Sequence, residues 1–198
     1  MEILLFDLGG VLVDFAGFEE LAPLLTEKTT HATIQKRWIH SEAIGRFESG
    51  KITADTFAQD FVTEWQLPLT AAEFLHHFSA WSRGLYPGAA RLLQLLKANH
   101  RLACLSNSNE IHGPSQRQWL DGLVDSFFFS YEMGLVKPDS AIFDRTIRSL
   151  GVPASRIAYF DDTPVNVEAA TEAGMRAFHV TGLAGLTITL RQNGVITD

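Results

Sequence analysis

A single cysteine, Cys104, stands in the chain, so no internal disulfide can form and an apolar core must hold the fold. Its neighbours Leu102, Ala103 and Leu105 read as a buried strand, which makes it a core thiol rather than a reactive one. Basic clusters are also missing. The 16 Lys and Arg against 23 Asp and Glu give a formal net charge of -7, and nucleic acid is not expected as a partner. No apolar run approaches membrane-spanning length. Met1-Glu2-Ile3-Leu4-Leu5-Phe6-Asp7 opens without a basic segment, so neither a membrane span nor a secretory leader is expected. These absences fit a cytoplasmic protein, a monomer or at most a weak dimer. Repeats and low-complexity tracts are lacking too. What is present is ordinary globular composition, 46% hydrophobic and 20% charged over 198 residues, enough for one core with a small insertion.

Three stretches differ in character. Ile3-Leu4-Leu5-Phe6 is a continuous apolar run, as in a strand buried on both faces, and it ends at Asp7 before a Gly9-Gly10 turn. From about 16 to 84 no comparable strand appears. Apolar residues recur there at helical spacing, as in Phe57, Phe61 and Trp65, then Phe74, Phe78 and Trp81, with Thr53 and Thr70 placed as N-caps. This predicts a unit of about four helices. The third stretch alternates: a helix to about 98, strand 101–105, a helix within 113–122, strand 127–130, helix 139–150, strand 157–160, helix 164–173 and strand 177–180. Gly151 and Gly174 fall at C′ positions, and Pro138 and Pro164 near N1. Repeated strand–helix units imply an α/β, doubly wound parallel sheet of Rossmann-like form, with an inserted helical cap. The expected division is a core of 1–15 and 85–198 with a cap of 16–84.

Ligands of such sheets sit beyond the carboxyl ends of the strands. Those ends carry Asp7, then Ser106-Asn107, then Asp161-Asp162, with Lys137-Pro138 just before a helix. Each fragment alone has an ordinary reading as a turn, a cap or a solvated lysine. Together they place complementary charges on one sheet edge. Three carboxylates carry -3, which one Mg²⁺ and Lys137 would neutralise, and hard oxygen donors suit Mg²⁺. Ser106, the Asn107 N–H, N–H groups of the Leu8–Gly10 turn and Lys137 are candidate donors to a phosphate. An aspartate attacking phosphorus needs such cations nearby to overcome repulsion.

The fragments Phe6-Asp7-Leu8-Gly9-Gly10-Val11-Leu12, Leu105-Ser106-Asn107-Ser108-Asn109, Val136-Lys137-Pro138-Asp139 and Phe160-Asp161-Asp162-Thr163 resemble, in order and spacing, the four motifs of the haloacid dehalogenase superfamily. Tyr86-Pro87-Gly88 resembles its return from the cap. The resemblance covers essentially the whole chain. It implies that Asp7 forms a phospho-aspartyl intermediate, that Ser106 and Asn107 bind the phosphoryl group, and that Lys137 steadies nucleophile and phosphate. It further implies that Asp7, the Gly9 carbonyl and Asp162 bind Mg²⁺, with Asp161 acting through water and Asn166 bracing the loop. The substrate is then a small phosphorylated metabolite.

One departure matters. Phosphatases of the family usually carry a second aspartate where this chain has Gly9, and that carboxylate moves the proton of the leaving group. A Gly here resembles a bacterial subgroup of sugar-phosphate phosphatases. The departure predicts substrates that leave without protonation, such as anomeric sugar, acyl or aryl phosphates, unless a cap residue donates the proton. The segment Arg46-Phe47-Glu48-Ser49-Gly50-Lys51, with two cations and a carboxylate, is the expected specificity loop, and Arg46 and Lys51 are its expected substrate ligands. Asp14 is expected to anchor the hinge. His76 and His77 point different ways on a helix, so zinc is not expected. Three alternatives stay open: a 2-haloacid dehalogenase, which needs no metal; a phosphonate-cleaving enzyme with Lys28, Lys36 or Lys51 as its amine; and a catalytically quiet phosphate- or partner-binding module.

Overall fold

The computed structural model describes residues 2–26 and 29–196. The first strand, β1, is Ile3–Phe6, every residue of it fully buried. After the Gly9-Gly10 turn come β2 (Val13–Phe15) and the helices α1 (Gly17–Leu21), α2 (His31–Ile39), α3 (Glu42–Glu48), α4 (Ala54–Trp65) and α5 (Ala71–Ser79). The chain returns through β3 (Ser82–Leu85). It then alternates through α6 (Ala89–Lys97), β4 (Arg101–Ser106), α7 (Gly113–Leu120), β5 (Ser126–Phe129), α8 (Ser130–Met133), α9 (Ser140–Leu150), β6 (Ile157–Asp161), α10 (Pro164–Glu172), β7 (Arg176–His179) and α11 (Gly182–Gln192).

Among the described residues, five strands form one parallel sheet in the order β5-β4-β1-β6-β7. The chain fills one side of β1 and then crosses to the other, so β1 is the point where strand order reverses. A crevice opens beyond its carboxyl end for that reason. Alternation along the strands divides the core into two layers. Leu4, Phe6, Leu102, Cys104 and Phe160 face one set of helices, while Ile3, Leu5, Ala103, Leu105 and Tyr159 face the other. The Phe6, Phe160 and Phe178 rings stack across three neighbouring strands at 5.4 and 5.3 Å. Burial pushes the Cys104 thiol up to about 12, so it is an inert core group.

The segment between β2 and β3 has its own aromatic core. Phe57, Phe61 and Trp65 of α4 meet Phe74 and Phe78 of α5, and Phe47 stacks on Phe57 at 4.2 Å. Thr53 and Thr70 cap these helices through their hydroxyls, Thr70 in a reciprocal pair with Glu73. Phe57 is fully enclosed, so Phe57→Ala should lower unfolding free energy by about 3–5 kcal/mol in denaturant titration. A loss near zero would show that these rings do not act as one core.

Among the described residues, five α-helices occupy this segment rather than about four. The β2–β3 ribbon, with Val13 opposite Leu85, was not anticipated. Ser82-Arg83-Gly84-Leu85 carries no strand propensity of its own, and pairing with β2 supplies its conformation. Helix α11 was likewise unpredicted, although Leu183, Leu186 and Leu190 lie at helical spacing. Lys28 lies outside the described residues.

Candidate active site

The parallel sheet brings Asp7 and Asp161 to one level and Ser106 one residue further along its strand, because Phe6 pairs with both Cys104 and Phe160. Lys137 reaches the same place from the loop before α9. Its side chain is only 2% exposed, and Nζ lies 2.9 Å from Asp7 Oδ1 and 2.7 Å from Asp161 Oδ2. Burial alone would lower the ammonium pKa. The two carboxylates outweigh burial and hold it well above the usual lysine range. Burial pushes the Asp7 carboxyl up to about 7, Lys137 opposing and Asp161 and Asp162 adding to the rise.

The two aspartates after β6 differ sharply. Asp161 is fully buried, and its oxygens accept from Lys137 Nζ, the Tyr159 hydroxyl, Asn166 Nδ2 and the Thr163 N–H. Burial works against its ionisation, but Lys137 and these donors win, and the carboxyl sits below its usual value. It anchors Lys137. Asp162 is half-buried and lines the cleft, with Thr163 Oγ1 donating to it at 3.2 Å. Burial, reinforced by Asp161, raises its carboxyl. Oxygens of Asp7, Asp161 and Asp162 lie within 4.8 Å of one another.

Gly10 gives this cluster room. Its φ is +70°, and a Cβ there would collide with Asp162 Oδ2. Three carboxylates and one ammonium leave -2, and the donors are all oxygen, which fits a hard divalent cation. Gly10 does not offer the donor expected of it, since its N–H is already bonded to the Val13 carbonyl at 3.1 Å. The turn needs that bond to close. The Asn107 side chain also faces inward to the protein: Nδ2 donates to the Lys137 carbonyl at 3.0 Å, and Oδ1 accepts the Lys137 N–H at 2.8 Å. It clamps the lysine loop. Ser106 is buried at the end of β4 and lines the cleft with Asn107.

Arg46 and Lys51 are not brought to the cleft. Arg46 pairs with Asp60 at 3.0 Å, and Lys51 is exposed in the turn after α3. Helical geometry explains this, because Ile44, Gly45 and Glu48 share one face of α3 and Arg46 points away from it. Those three line the cleft. The turn itself is held against the core, where a Cβ at Gly50 would meet the Tyr131 carbonyl at 2.5 Å. Glu48 is the residue that reading the segment for cations missed. Its carboxyl is buried and pushed up to about 8 by burial; Lys137 partly offsets this and Asp7 adds to it. Tyr159 was also missed, being indistinguishable in sequence from core. Asp14 lies in β2, and neither Lys36 nor Lys51 lines the cleft.

A doubly wound sheet with an acidic, lysine-braced cleft at its switch point has its candidate active site where such sheets bind ligands, and the family match shows the class to be hydrolase. The haloacid dehalogenase-like hydrolase profile matches residues 1–174, and the chain belongs to that family. It is 27% identical over 194 residues to a sesquiterpene phosphatase of Aspergillus oryzae, covering 95% of this chain and 94% of that protein. It is 24% identical over 184 residues to a D-ribitol-5-phosphate phosphatase of Bacteroides thetaiotaomicron, covering 88% and 89%. A HAD family enzyme of B. thetaiotaomicron, crystallised with magnesium and inorganic phosphate, shares the fold at a TM-score of 0.69 with 20% identity over 91% of this chain and 94% of that one. No helix among the described residues is long and apolar enough to cross a membrane.

Proposed function

We propose that the chain hydrolyses phosphate monoesters of small molecules with Mg²⁺ and a phospho-Asp7 intermediate. The observation that carries this is Lys137, buried between Asp7 and Asp161 at the carboxyl end of β1. Such a lysine pins the nucleophile and offers positive charge to the transferring group. Asp7 and Asp162, with the Gly9 carbonyl, would hold the cation, and Asp161 serves them indirectly by fixing Lys137. The chemistry Mg²⁺ supplies when bound is neutralisation of charge on the phosphoryl oxygens.

Asp7 attacks phosphorus, and its P–O bond forms as the ester P–O bond breaks. The alkoxide then needs a proton. Position 9 has no carboxyl, and a Cβ there would touch Phe15 at 3.5 Å, so an apolar ring adjoins the space of the missing acid. Glu48 lines the same cleft from α3, within reach of the charges of Asp7 and Lys137, and burial raises its carboxyl to about 8, which favours the form that can donate a proton. It gives its proton to the alkoxide and takes one back from the water that attacks phospho-Asp7. Phosphate leaves, and both carboxyl groups are restored. Without Glu48, only activated esters such as aryl or anomeric sugar phosphates should react quickly.

A dehalogenase would leave Asp162 without a role, and a phosphonate-cleaving enzyme would need a lysine on the cleft's cap side, where the described residues supply none. The assay is phosphate release from an aryl phosphate, with chelator and then with added Mg²⁺. Activity should require the metal, and turnover unaffected by chelator would overturn the metal-assisted reading. Gly10→Ala, which crowds Asp162, should raise the half-saturating Mg²⁺ concentration by about 10- to 100-fold.

A further inference from the structure

The cleft has about 220 Å³ of free space, and its two walls differ in chemistry. The floor is the polar cluster of Asp7, Ser106, Lys137 and Asp162. The opposite wall is built from Phe15, Phe18, Trp38, Ile39, Ile44 and Phe78. Among the described residues that line that wall, only Gln35 and Glu48 are polar and none is a cation. Polar groups further along the core side are already used by the protein. Ser108 Oγ donates to Gln116 at 2.8 Å, Asn109 Oδ1 accepts the N–H groups of Ile111 and His112 at 3.1 Å each, and His112 Nε2 donates to the Phe78 carbonyl at 2.8 Å. Burial lowers the His112 pKa, the bond to Phe78 only partly countering it, so the imidazole is neutral there.

A polyol entering this space would press hydroxyls against rings that cannot bond them, at a loss of roughly five- to hundredfold in affinity per group. An alkyl or alkenyl chain would lose nothing and would gain from leaving water. The mouth repeats the pattern. Four large hydrophobic side chains are exposed among the described residues, and two of them, Ile39 of α2 at 42% and Val165 of α10 at 40%, belong to this cleft. Gly45 of α3 keeps the passage open, since nothing lies within 4 Å of where its Cβ would stand. A glycine inside a helix costs about a tenfold shift in local equilibrium or less against alanine, so the empty space has been kept at some expense.

We infer that the substrates are phosphate monoesters of apolar alcohols, whose hydrocarbon part lies along the Phe15–Trp38–Ile44 wall and leaves between Ile39 and Val165. This rests on the phosphatase reading above and replaces the sugar phosphate expected from Gly9.

Non-hydrolysable n-alkylphosphonates from two to ten carbons, titrated calorimetrically into the Mg²⁺-supplied protein, test it. Kd should fall by about fourfold for each added methylene until the tail passes the mouth, and then level off. A polyol phosphonate of equal length should bind more weakly than its alkyl counterpart. Gly45→Leu should weaken the long phosphonates at least tenfold more than the two-carbon one. Helix α3 tolerates that change, so a folded variant is expected. A flat series, a polyol bound more tightly, equal losses across chain lengths in Gly45→Leu, or no binding by any member would each overturn the inference. Phosphonates report binding without turnover, so an aryl phosphate assay run beside them shows separately whether the phosphatase reading stands.

Discussion

Asp7→Asn should reduce phosphate release by at least about 10⁴-fold, because an amide oxygen neither attacks phosphorus nor carries the intermediate. The loss should lie in chemistry rather than in folding. Lys137 keeps its 2.7 Å bond to Asp161, and the Tyr159 and Asn166 bonds to that carboxylate are untouched. The thermal midpoint should stay within a few degrees of the parent. The second readout is the intermediate itself. Brief exposure of the parent to substrate, followed by acid quench, should trap phosphate on the protein, and the variant should trap none. Residual turnover within tenfold of the parent would remove Asp7 from the role of nucleophile.

Glu48→Gln should divide substrates by leaving group. Hydrolysis of alkyl phosphates should fall by about 10²–10⁴-fold, whereas an aryl phosphate, whose leaving group needs no proton, should change by less than about fivefold. Equal loss on both would make Glu48 a positioning residue only. Stability offers an independent check. The folded-state value of about 8 lies above the ordinary glutamate value of 4.5. A raised carboxyl contributes stability that is fully present below about pH 4.5 and is lost as pH rises through 8. Glutamine cannot ionise, so the variant should match the parent in acid and exceed it increasingly toward pH 8, by on the order of a few kcal/mol. Lys137 and Asp7 are the charged groups acting on Glu48, and chelator keeps any cation from adding to them.

The polar floor was legible in the chain for a physical reason. A nucleophile, a lysine and an acidic pair at strand exits are local features, each next to an apolar run or a turn. The parallel sheet then carries those exits to one edge without further information. Asn107 shows the limit of such reading. Its place beside the site follows from the end of β4, but the hydrogen bonds that turn its side chain onto the Lys137 backbone connect residues 30 apart. The cap was less legible. Phe57, Phe61 and Trp65 announce a helix and an apolar face, yet nothing in their spacing tells which side closes over Asp7.

By itself, the sequence determined the doubly wound sheet, the helical insertion and the charge cluster at the strand ends, since periodicity and turn residues act within a few positions. Only the tertiary structure decided what the cap brings to that cluster. The register of α3 against the core turned Ile44, Gly45 and Glu48 inward and left Arg46 to Asp60. An apolar wall with one buried carboxyl therefore stands where two cations were expected. Which face of a helix is buried is settled by what packs against it, and that partner lies far away in the chain.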